Sequence, residues 1–409
     1  MIKNIIKQDI FSPTILFPIG FIFYFGFGSL NIIQWGYVPA INWLYYILAL
    51  LSYYMGNVIA IIIWKKSKQF YNVGNSKYEW RRTFPFVIAM LSLVSFATVL
   101  ISWRKTGIPI LSNEVDVTRV QASTNGYLIV IFLSIKAYFV LLYLYLRTNT
   151  NAATAATKYL VYTNMFLIVL ALLGTANRGH IVTVMLTCLF VYIYTETEKI
   201  SFKKMLIVVI SAAALLLVFT VIGYIRYLTM YNGGFLVDII SAYDYPPSLL
   251  LLAPLYLYIR NGPKMFNDVL EAMHNHDFTF GRLHLAPIVA PLQAKLESAD
   301  MVIKKMLGME FEGYGVAATL LSSFYIEFGV VGIFIGMLIA GVTIQHLYRK
   351  MLFDGQPANV GVYAFFMMNL IMALYGNILS SFNVIWTPFL IYFLSRYFVV
   401  SKHHSCERI

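Results

Sequence analysis

Arginines at the ends of apolar segments are the residues of this sequence best suited to chemistry on a phosphate. Arg178 lies in a tight turn between two apolar runs, Arg226 ends another run, and Arg119 follows a third. An arginine keeps its charge and forms paired hydrogen bonds to phosphate oxygens. Several of them at one membrane face could therefore bind a lipid-linked phosphate, although a single arginine could equally reach the lipid headgroups.

Three residues are candidate general bases. Glu327 precedes a long apolar run, and Asp244 and His284 lie in the long segment before it. A base needs a side chain within reach of the proton and a suitable pKa. Glu327 could instead favour a helix N-terminus through the helix dipole, and the other two could be ordinary loop residues. The sequence therefore leaves the order of these candidates open.

Lys136 lies in the middle of an apolar run. An ionisable group inside a membrane is costly to bury, so it is a functional hypothesis by default. Its alternative is a lysine paired with a neighbouring helix or with a water in a cavity. We also expect Tyr325, Tyr245 and Arg282 to line the same pocket as the candidate bases.

Several familiar chemistries have no local motif in this sequence. It has no phosphate-binding P-loop, no H-E-x-x-H and no G-x-S-x-G, so an ATP-driven pump and a membrane metalloprotease have no support. Cys188 and Cys406 are isolated and form neither a disulfide framework nor a zinc spacing. We predict no metal site and no cofactor.

The composition indicates that lipid surrounds most of the chain. Hydrophobic residues make up 60% of the 409 residues and charged residues only 12%, whereas soluble proteins carry about a quarter charged residues. The net charge of +12 would favour nucleic acid only if the basic residues clustered on a water-exposed face. They lie instead in short loops between apolar runs, so no nucleic-acid partner is expected.

About ten membrane-spanning helices must position the candidate residues, since each crossing needs about 20 apolar residues. Tyr and Trp are frequent at the ends of these runs, as interfacial anchors are. No cleavage site follows the first run, which is predicted to remain as a helix. The predicted spans are 11–31, 40–64, 84–102, 127–147, 159–176, 179–195, 205–226, 328–347, 359–377 and 383–399.

The basic residues predict the orientation of these spans. One set of loops and ends carries 17 Lys and Arg against 6 Asp and Glu, whereas the other set carries 11 against 12. Cytoplasmic loops carry the excess of Lys and Arg. Both termini are therefore predicted in the cytoplasm, and the candidate site residues on the outer face.

The external segment 227–327 is too long to be a structureless loop. We predict that it folds on its own and caps an external cavity. Within it, 249–259 is too short to cross the membrane and is interpreted as interfacial or re-entrant, while 262–274 and 291–307 have the pattern of amphipathic helices. The predicted fold is an all-α polytopic membrane bundle, a single domain over 1–409.

Four short motifs occur in order between residues 107 and 332, and each falls at a specific place in this topology. Together they resemble the Wzy-type O-antigen and capsule polymerases, which join oligosaccharide repeat units. That family often has Asp where this chain has Glu327, so the carboxylate is kept while its reach differs. The motifs are Gly107-Ile-Pro109-Ile-Leu-Ser-Asn113, Ala176-Asn-Arg178-Gly179, Phe278-Thr-Phe-Gly281 and Thr319-Leu-Leu-Ser-Ser-Phe324-Tyr325-Ile-Glu327-Phe328-Gly329-Val-Val-Gly332.

The resemblance implies an enzyme of the bacterial cytoplasmic membrane that works on the outer face. It would join units carried on undecaprenyl diphosphate by a metal-free, inverting transfer similar to that of glycosyltransferase C-class enzymes. Such enzymes often have a partner that regulates chain length. The diphosphate would be bound by Arg178 and Arg226 with support from Arg119, and the base would be Glu327, Asp244 or His284.

Three other functions remain possible at this point. An O-antigen ligase shares the architecture, and the sequence hardly separates it from a polymerase. A lipid-linked sugar flippase should show two related halves and charges along several spans, yet only Lys136 and Arg396 lie within predicted spans. A membrane scaffold would not need a hundred-residue external segment beside clustered arginines.

Overall fold

The computed structural model describes residues 11–30, 37–64, 78–112, 118, 126–149, 153–175, 177–195, 210, 253–289, 299–309, 318–376 and 381–401. These residues are almost entirely helical. The elements are α1 (Pro13–Phe21, continued as a π-helix over Ile22–Phe27), α2 (Asn42–Ile63), β1 (Tyr78–Trp80), α3 (Phe84–Thr106), α4 (Gly126–Thr148), α5 (Ala155–Gly174), α6 (Arg178–Thr195), α7 (Ala253–Ala272), α8 (Arg282–Val289), α9 (Ala299–Met306), α10 (Leu320–Asp354), α11 (Pro357–Met372), α12 (Asn383–Phe398) and β2 (Val399–Ser401), with 3₁₀ turns at Pro109–Leu111 and Met273–Asn275.

Within the described residues, five helices are long and apolar enough to cross a membrane, namely α2, α3, α4, α5 and α10. Shorter apolar helices cover Pro13–Phe27, Gly179–Thr195 and Pro357–Met372. All of these fall on predicted spans. The predicted span 205–226 lies outside the described residues except for position 210. A helical, multi-pass membrane fold is confirmed, while the count of about ten spans stays a prediction.

Helices α2 and α10 pack against each other at unusually close range because glycines face each other across the contact. A Cβ added at Gly56 would overlap the carbonyl oxygen of Leu338, and one at Gly341 would overlap the carbonyl of Tyr53. Small residues let helix backbones approach closely in membranes, where van der Waals contact drives association. This pair forms the spine against which the site is built.

The two helices of this spine run in the same direction. Tyr45, early in α2, contacts Tyr325, early in α10, with ring centroids 5.8 Å apart. Beyond the last turn of α2, Trp64 Nε1 donates to His346 Nδ1, far along α10, at 2.8 Å. The predicted topology also has both spans running from the outer face inwards, so packing and charge distribution agree.

Segments predicted to face the cytoplasm lie together at one end of the bundle. Strands β1 and β2 pair antiparallel, with Trp80 opposite Val399. Trp80 Nε1 also donates to Thr148 Oγ1 at 2.7 Å, at the end of α4. We call this end of the bundle the strand end, and the opposite end, where α10 begins, the site end.

A small hydrophobic cluster joins α7, α8, α9 and the start of α10 at the site end. It is distinct from the main core of the bundle. It gives the segment before α10 apolar contacts of its own. Its buried members are Met265, Val269, Met273, Leu283, Ile303, Ala318 and Ile326.

The helices of this segment differ from those that the sequence predicts. The stretches 249–259 and 262–274 are not separate pieces, because α7 is continuous from Ala253 to Ala272 with Pro263 inside it. A proline in a membrane protein helix is tolerated where neighbours pack against the interruption. Here Gly28 allows this packing, since a Cβ added at its position would overlap the Pro263 ring and the carbonyl oxygen of Ile259. Helix α9 occupies the second half of the predicted 291–307 helix.

Candidate functional site

Helix α10 is broken just after Glu327. Phe328 (φ −145°, ψ 19°) and Gly329 (φ 62°, ψ −141°) leave helical geometry, and the helix then resumes. This combination at Gly329 is one that side-chain-bearing residues almost never adopt. Because α10 begins at Leu320, Glu327 does not start this crossing, as the sequence suggested, but ends its first two turns.

The loop before α8 forms hydrogen bonds with the broken part of α10. The backbone N–H of Thr279 donates to the carbonyl of Ile326 at 3.1 Å, and that of Phe280 donates to the carbonyl of Glu327 at 3.2 Å. Since a buried carbonyl must find a partner, the loop satisfies two acceptors beside the break. Two of the motifs that carry the family resemblance, Phe278-Thr-Phe-Gly281 and the one around Glu327, are thereby brought together.

Glu327 and His284 form an ion-pair geometry at this point. Glu327 Oε1 accepts the backbone N–H of His284 at 2.8 Å, and Oε2 lies 2.8 Å from His284 Nδ1. The Glu327 side chain is only 5% exposed and that of His284 26%. The carboxylate therefore occupies the N-terminus of α8, where free N–H groups and the dipole favour an anion. A helix dipole does act on Glu327, but it is that of α8 and not of its own helix.

The other nitrogen of His284, Nε2, has no hydrogen-bond partner in the described part of the chain. This atom is buried. The ring stacks on Phe324 with centroids 5.0 Å apart and planes 23° from parallel. When Nδ1 donates its proton to Glu327, Nε2 carries a lone pair and can accept a proton. The pair thus holds one buried basic atom in a fixed orientation.

Tyr325 lies on the other side of the same turn. Its ring makes edge contacts with Tyr45 at 5.8 Å and with Phe266 at 6.2 Å, so that α2, α7 and α10 meet there. The sequence singled out Tyr325 but neither of its two partners. The sequence alone does not distinguish an aromatic residue that packs between helices from one that anchors a helix end at the membrane interface.

The remaining predicted site residues are not brought together with the Glu327–His284 pair as one cluster among the described residues. Arg282 is exposed at the first residue of α8, two positions before His284. Lys136 is buried in α4, which packs mainly against α3, α6 and α12, and its ammonium makes no hydrogen bond or ion pair in the described part of the chain. Arg178 is the first residue of α6. The residues outside the described ranges are Arg119, Arg226, Asp244 and Tyr245.

Sequence reasoning missed the buried arginine of α7. Arg260 is fully buried, and its Nη1 donates to the carbonyl of Gly28 at 2.8 Å. Further along α7, Asn267 Oδ1 accepts from Asn42 Nδ2 at 3.1 Å. These bonds fasten α7 to the end of the first helix and to the start of α2. The signal in the sequence was an arginine that ends the apolar run 249–259.

Fold and site together define a multi-pass helical membrane protein with a paired carboxylate and imidazole beside a break in one span. Residues 9–386 match the family model described as "Putative O-antigen polymerase". The chain therefore belongs to the O-antigen polymerase family, which confirms the resemblance. No curated protein and no solved structure matches the chain.

Proposed function

We propose that the chain polymerises lipid-linked oligosaccharide repeat units by glycosyl transfer on the outer face of the bacterial cytoplasmic membrane. The observation that carries the proposal is the Glu327–His284 pair beside the break in α10. It lies where two family motifs meet, in a chain that matches the polymerase family over residues 9–386. The product would be an O-antigen or capsular polysaccharide.

The reaction transfers the growing chain from its lipid to a new unit. An acceptor hydroxyl oxygen forms a bond to the anomeric carbon of the growing chain, and the bond from that carbon to the diphosphate oxygen breaks. The electron pair leaves on undecaprenyl diphosphate, and the hydroxyl proton passes to a base. Attack opposite to the leaving group inverts the anomeric configuration.

We assign different roles to the two paired residues. Both carboxylate oxygens of Glu327 are engaged by His284, one through the backbone and one through the ring. Glu327 therefore orients the imidazole and stabilises the cation that forms on it, and His284 Nε2 takes the proton from the acceptor. This is the logic of an acid–base residue held by a carboxylate. Asp244, the third base candidate, lies outside the described residues.

The departing diphosphate needs cationic partners, because positioned charges lower the energy of a transition state in which negative charge develops. Arg178 and Arg226 are proposed for this role, with Arg119 in support. Arg178 begins α6, where the backbone N–H groups of a helix N-terminus also favour an anion. Tyr325 and Tyr245, with the exposed Arg282, would line the sugar side of the pocket.

The proposed sidedness has physical support from packing. Segments rich in Lys and Arg in the sequence gather at the strand end of the bundle, as with β1 and β2. The Glu327–His284 pair lies at the site end, near the start of α10. Under the positive-inside rule the strand end is cytoplasmic, so the pair faces outwards. The segment 227–327 would then cap the site from outside.

The test is the glycan length distribution of cells that carry the Arg178→Ala variant as their sole copy. We expect an inserted, stable protein and a product with a single repeat, because unit supply and final transfer continue without polymerisation. A normal ladder of lengths would remove Arg178 from the site. Full-length polymer that stays on its lipid carrier would indicate a ligase, and loss of every external repeat would indicate a flippase.

A further inference from the structure

Helix α12 carries a ladder of stacked aromatic rings along one side. Phe382 stacks on Trp386 (5.8 Å between centroids, 19° between planes), and Trp386 on Phe389 (5.9 Å, 29°). Phe389 in turn stacks on Phe393 (5.9 Å, 14°). Phe389 and Phe393 are each more than half exposed. The ladder is therefore a surface feature that the proposed glycosyl transfer does not use.

Cations surround the end of this ladder. Lys350 Nζ lies 5.5 Å from the centroid of the Tyr392 ring, and the Arg396 guanidinium carbon lies 5.9 Å from it. The Arg81 guanidinium carbon lies 5.3 Å from the centroid of Tyr397. The three side chains come from the turn after β1, from α10 and from α12, and each lies over one of two tyrosines in the last two turns of α12.

This charge is not neutralised within the part of the chain that the structure describes. None of the three cations forms an ion pair there, whereas Lys264 pairs with Asp268 elsewhere. Among the described residues, Arg396 donates to the neutral amide oxygen of Gln356. Three cations at the end of an apolar ridge thus complement a molecule with an anionic head and a hydrocarbon tail.

The distance from the cations to Trp386 fits one such tail. Arg396 and Trp386 are ten positions apart in sequence, which is roughly 15 Å at a rise of about 1.5 Å per residue. One leaflet contributes about half of the roughly 30 Å hydrocarbon core. A second copy of the chain is a poorer occupant, because a twofold axis along the membrane normal would bring the same cations to one level.

We propose that this face, defined by the ladder and by Lys350, Arg396 and Arg81, binds an anionic phospholipid. The phosphate lies among the three cations, and one acyl chain lies along the stacked rings. With the strand end in the cytoplasm, the lipid belongs to the inner leaflet, whose anionic lipids attract basic residues near the surface. The proposal is independent of the glycosyl transfer at the other end of the bundle.

The fluorescence of Trp386 reports on lipid binding, since the Trp386 ring is part of the ladder. The full-length protein in uncharged detergent is titrated with phosphatidylglycerol or phosphatidylcholine whose acyl chains carry bromine, which quenches nearby tryptophan. The contribution of Trp386 is the difference between the wild type and Trp386→Phe. We expect phosphatidylglycerol to quench it at a concentration about tenfold lower than phosphatidylcholine does.

Two arginines at the strand end of the bundle form a matched pair of variants. Arg396→Gln should reduce the preference for phosphatidylglycerol about fivefold, because one direct charge-assisted contact to the phosphate is lost. Arg82→Gln removes the same charge from an exposed residue beside Arg81 and should leave the preference unchanged. If Arg396→Gln does not fold, Lys350→Gln is measured in its place, with the same expectation.

Three results would overturn the proposal. The first is equal quenching of Trp386 by both lipids in the wild type. The second is an equal loss of lipid preference in Arg82→Gln and Arg396→Gln. The third is a dimer, detected as a doubled molar mass by light scattering, in which the second copy and not a lipid covers Trp386. A preference that falls only in the variants of the three cations would support it.

Discussion

Helical geometry is interrupted at both ends of α10, but different groups satisfy the backbone at each end. At its far end the helix runs unbroken to Asp354, and Gly355 (φ 61°, ψ 12°) closes it in a left-handed conformation. The Gly355 N–H donates to the Met351 carbonyl at 3.0 Å, so the helix satisfies its own last turn. Near its start the helix breaks at Phe328 and Gly329, and a different segment supplies the missing donors.

The difference shows what the break achieves. A left-handed glycine at the end of a helix is an ordinary way of closing it, and little else depends on it. A break inside the helix instead leaves backbone acceptors that the Thr279 and Phe280 N–H groups bind, which fixes the start of α8. The N-terminus of α8 then holds the Glu327 carboxylate through His284. The irregular backbone of α10 therefore lies where the Glu327–His284 pair is held in place.

The largest effect is expected from His284→Gln. If Nε2 accepts the hydroxyl proton, its loss should slow chain extension by about 10²- to 10⁴-fold, the usual contribution of general base catalysis. The rate is measured as repeat units added per unit time in membranes supplied with lipid-linked substrate. His276→Gln, in an exposed histidine of the same segment, is the control and should extend chains normally. An unchanged rate in His284→Gln would exclude it as the base.

Glu327→Gln should have a smaller effect, because Glu327 acts through His284. Gln keeps an acceptor for the His284 N–H but cannot hold the imidazole by charge. We expect a loss of about 10- to 100-fold, by analogy with carboxylates that orient metal-ligating histidines. We expect kcat to fall with KM unchanged, and Glu327→Asp to recover part of the rate, since Asp keeps a carboxylate with a shorter reach. A rise in KM alone would instead make Glu327 a substrate-binding residue.

The sequence predicted elements better than it predicted contacts. Apolar runs of membrane length defined α2, α3 and α4 to within a few residues, because a lipid-facing helix has few alternatives. The break was not predicted, since Phe328 and Gly329 lie inside an apolar run in which glycine is common. The start of α10 at Leu320 was missed because it, too, lies within an apolar stretch without a distinct local signal.

The candidate site shows the same limit at the level of residues. Glu327 and His284 were both predicted as bases, because a carboxylate and an imidazole are chemically conspicuous. Their contact joins residues 43 positions apart in sequence, and no local pattern encodes such a contact. Tyr45, Phe266 and Arg260 were missed because their roles come from packing between helices.

Gly329→Ala tests whether the break itself is needed. A Cβ at this position would lie 3.1 Å from the Phe278 ring, and the backbone conformation costs on the order of 1–3 kcal/mol in a non-glycine residue. We expect a lower thermal unfolding temperature and, beyond that, loss of chain extension, because the loop before α8 and α8 itself are displaced. Gly376→Ala, where an added Cβ meets nothing within 4 Å, should change neither quantity.

The smallest effect is expected from Gly355→Ala, at the other end of the same helix. Gly355 shares the positive φ of Gly329, so alanine should lower the free energy of unfolding by about 1 kcal/mol, the cost of a left-handed residue with a side chain. Extension by the folded enzyme should remain normal, since only the closure of α10 changes. Unfolding temperature and extension rate are measured on the same preparations. If both glycine variants lost activity in proportion to stability, the break would be a packing feature and not part of the site.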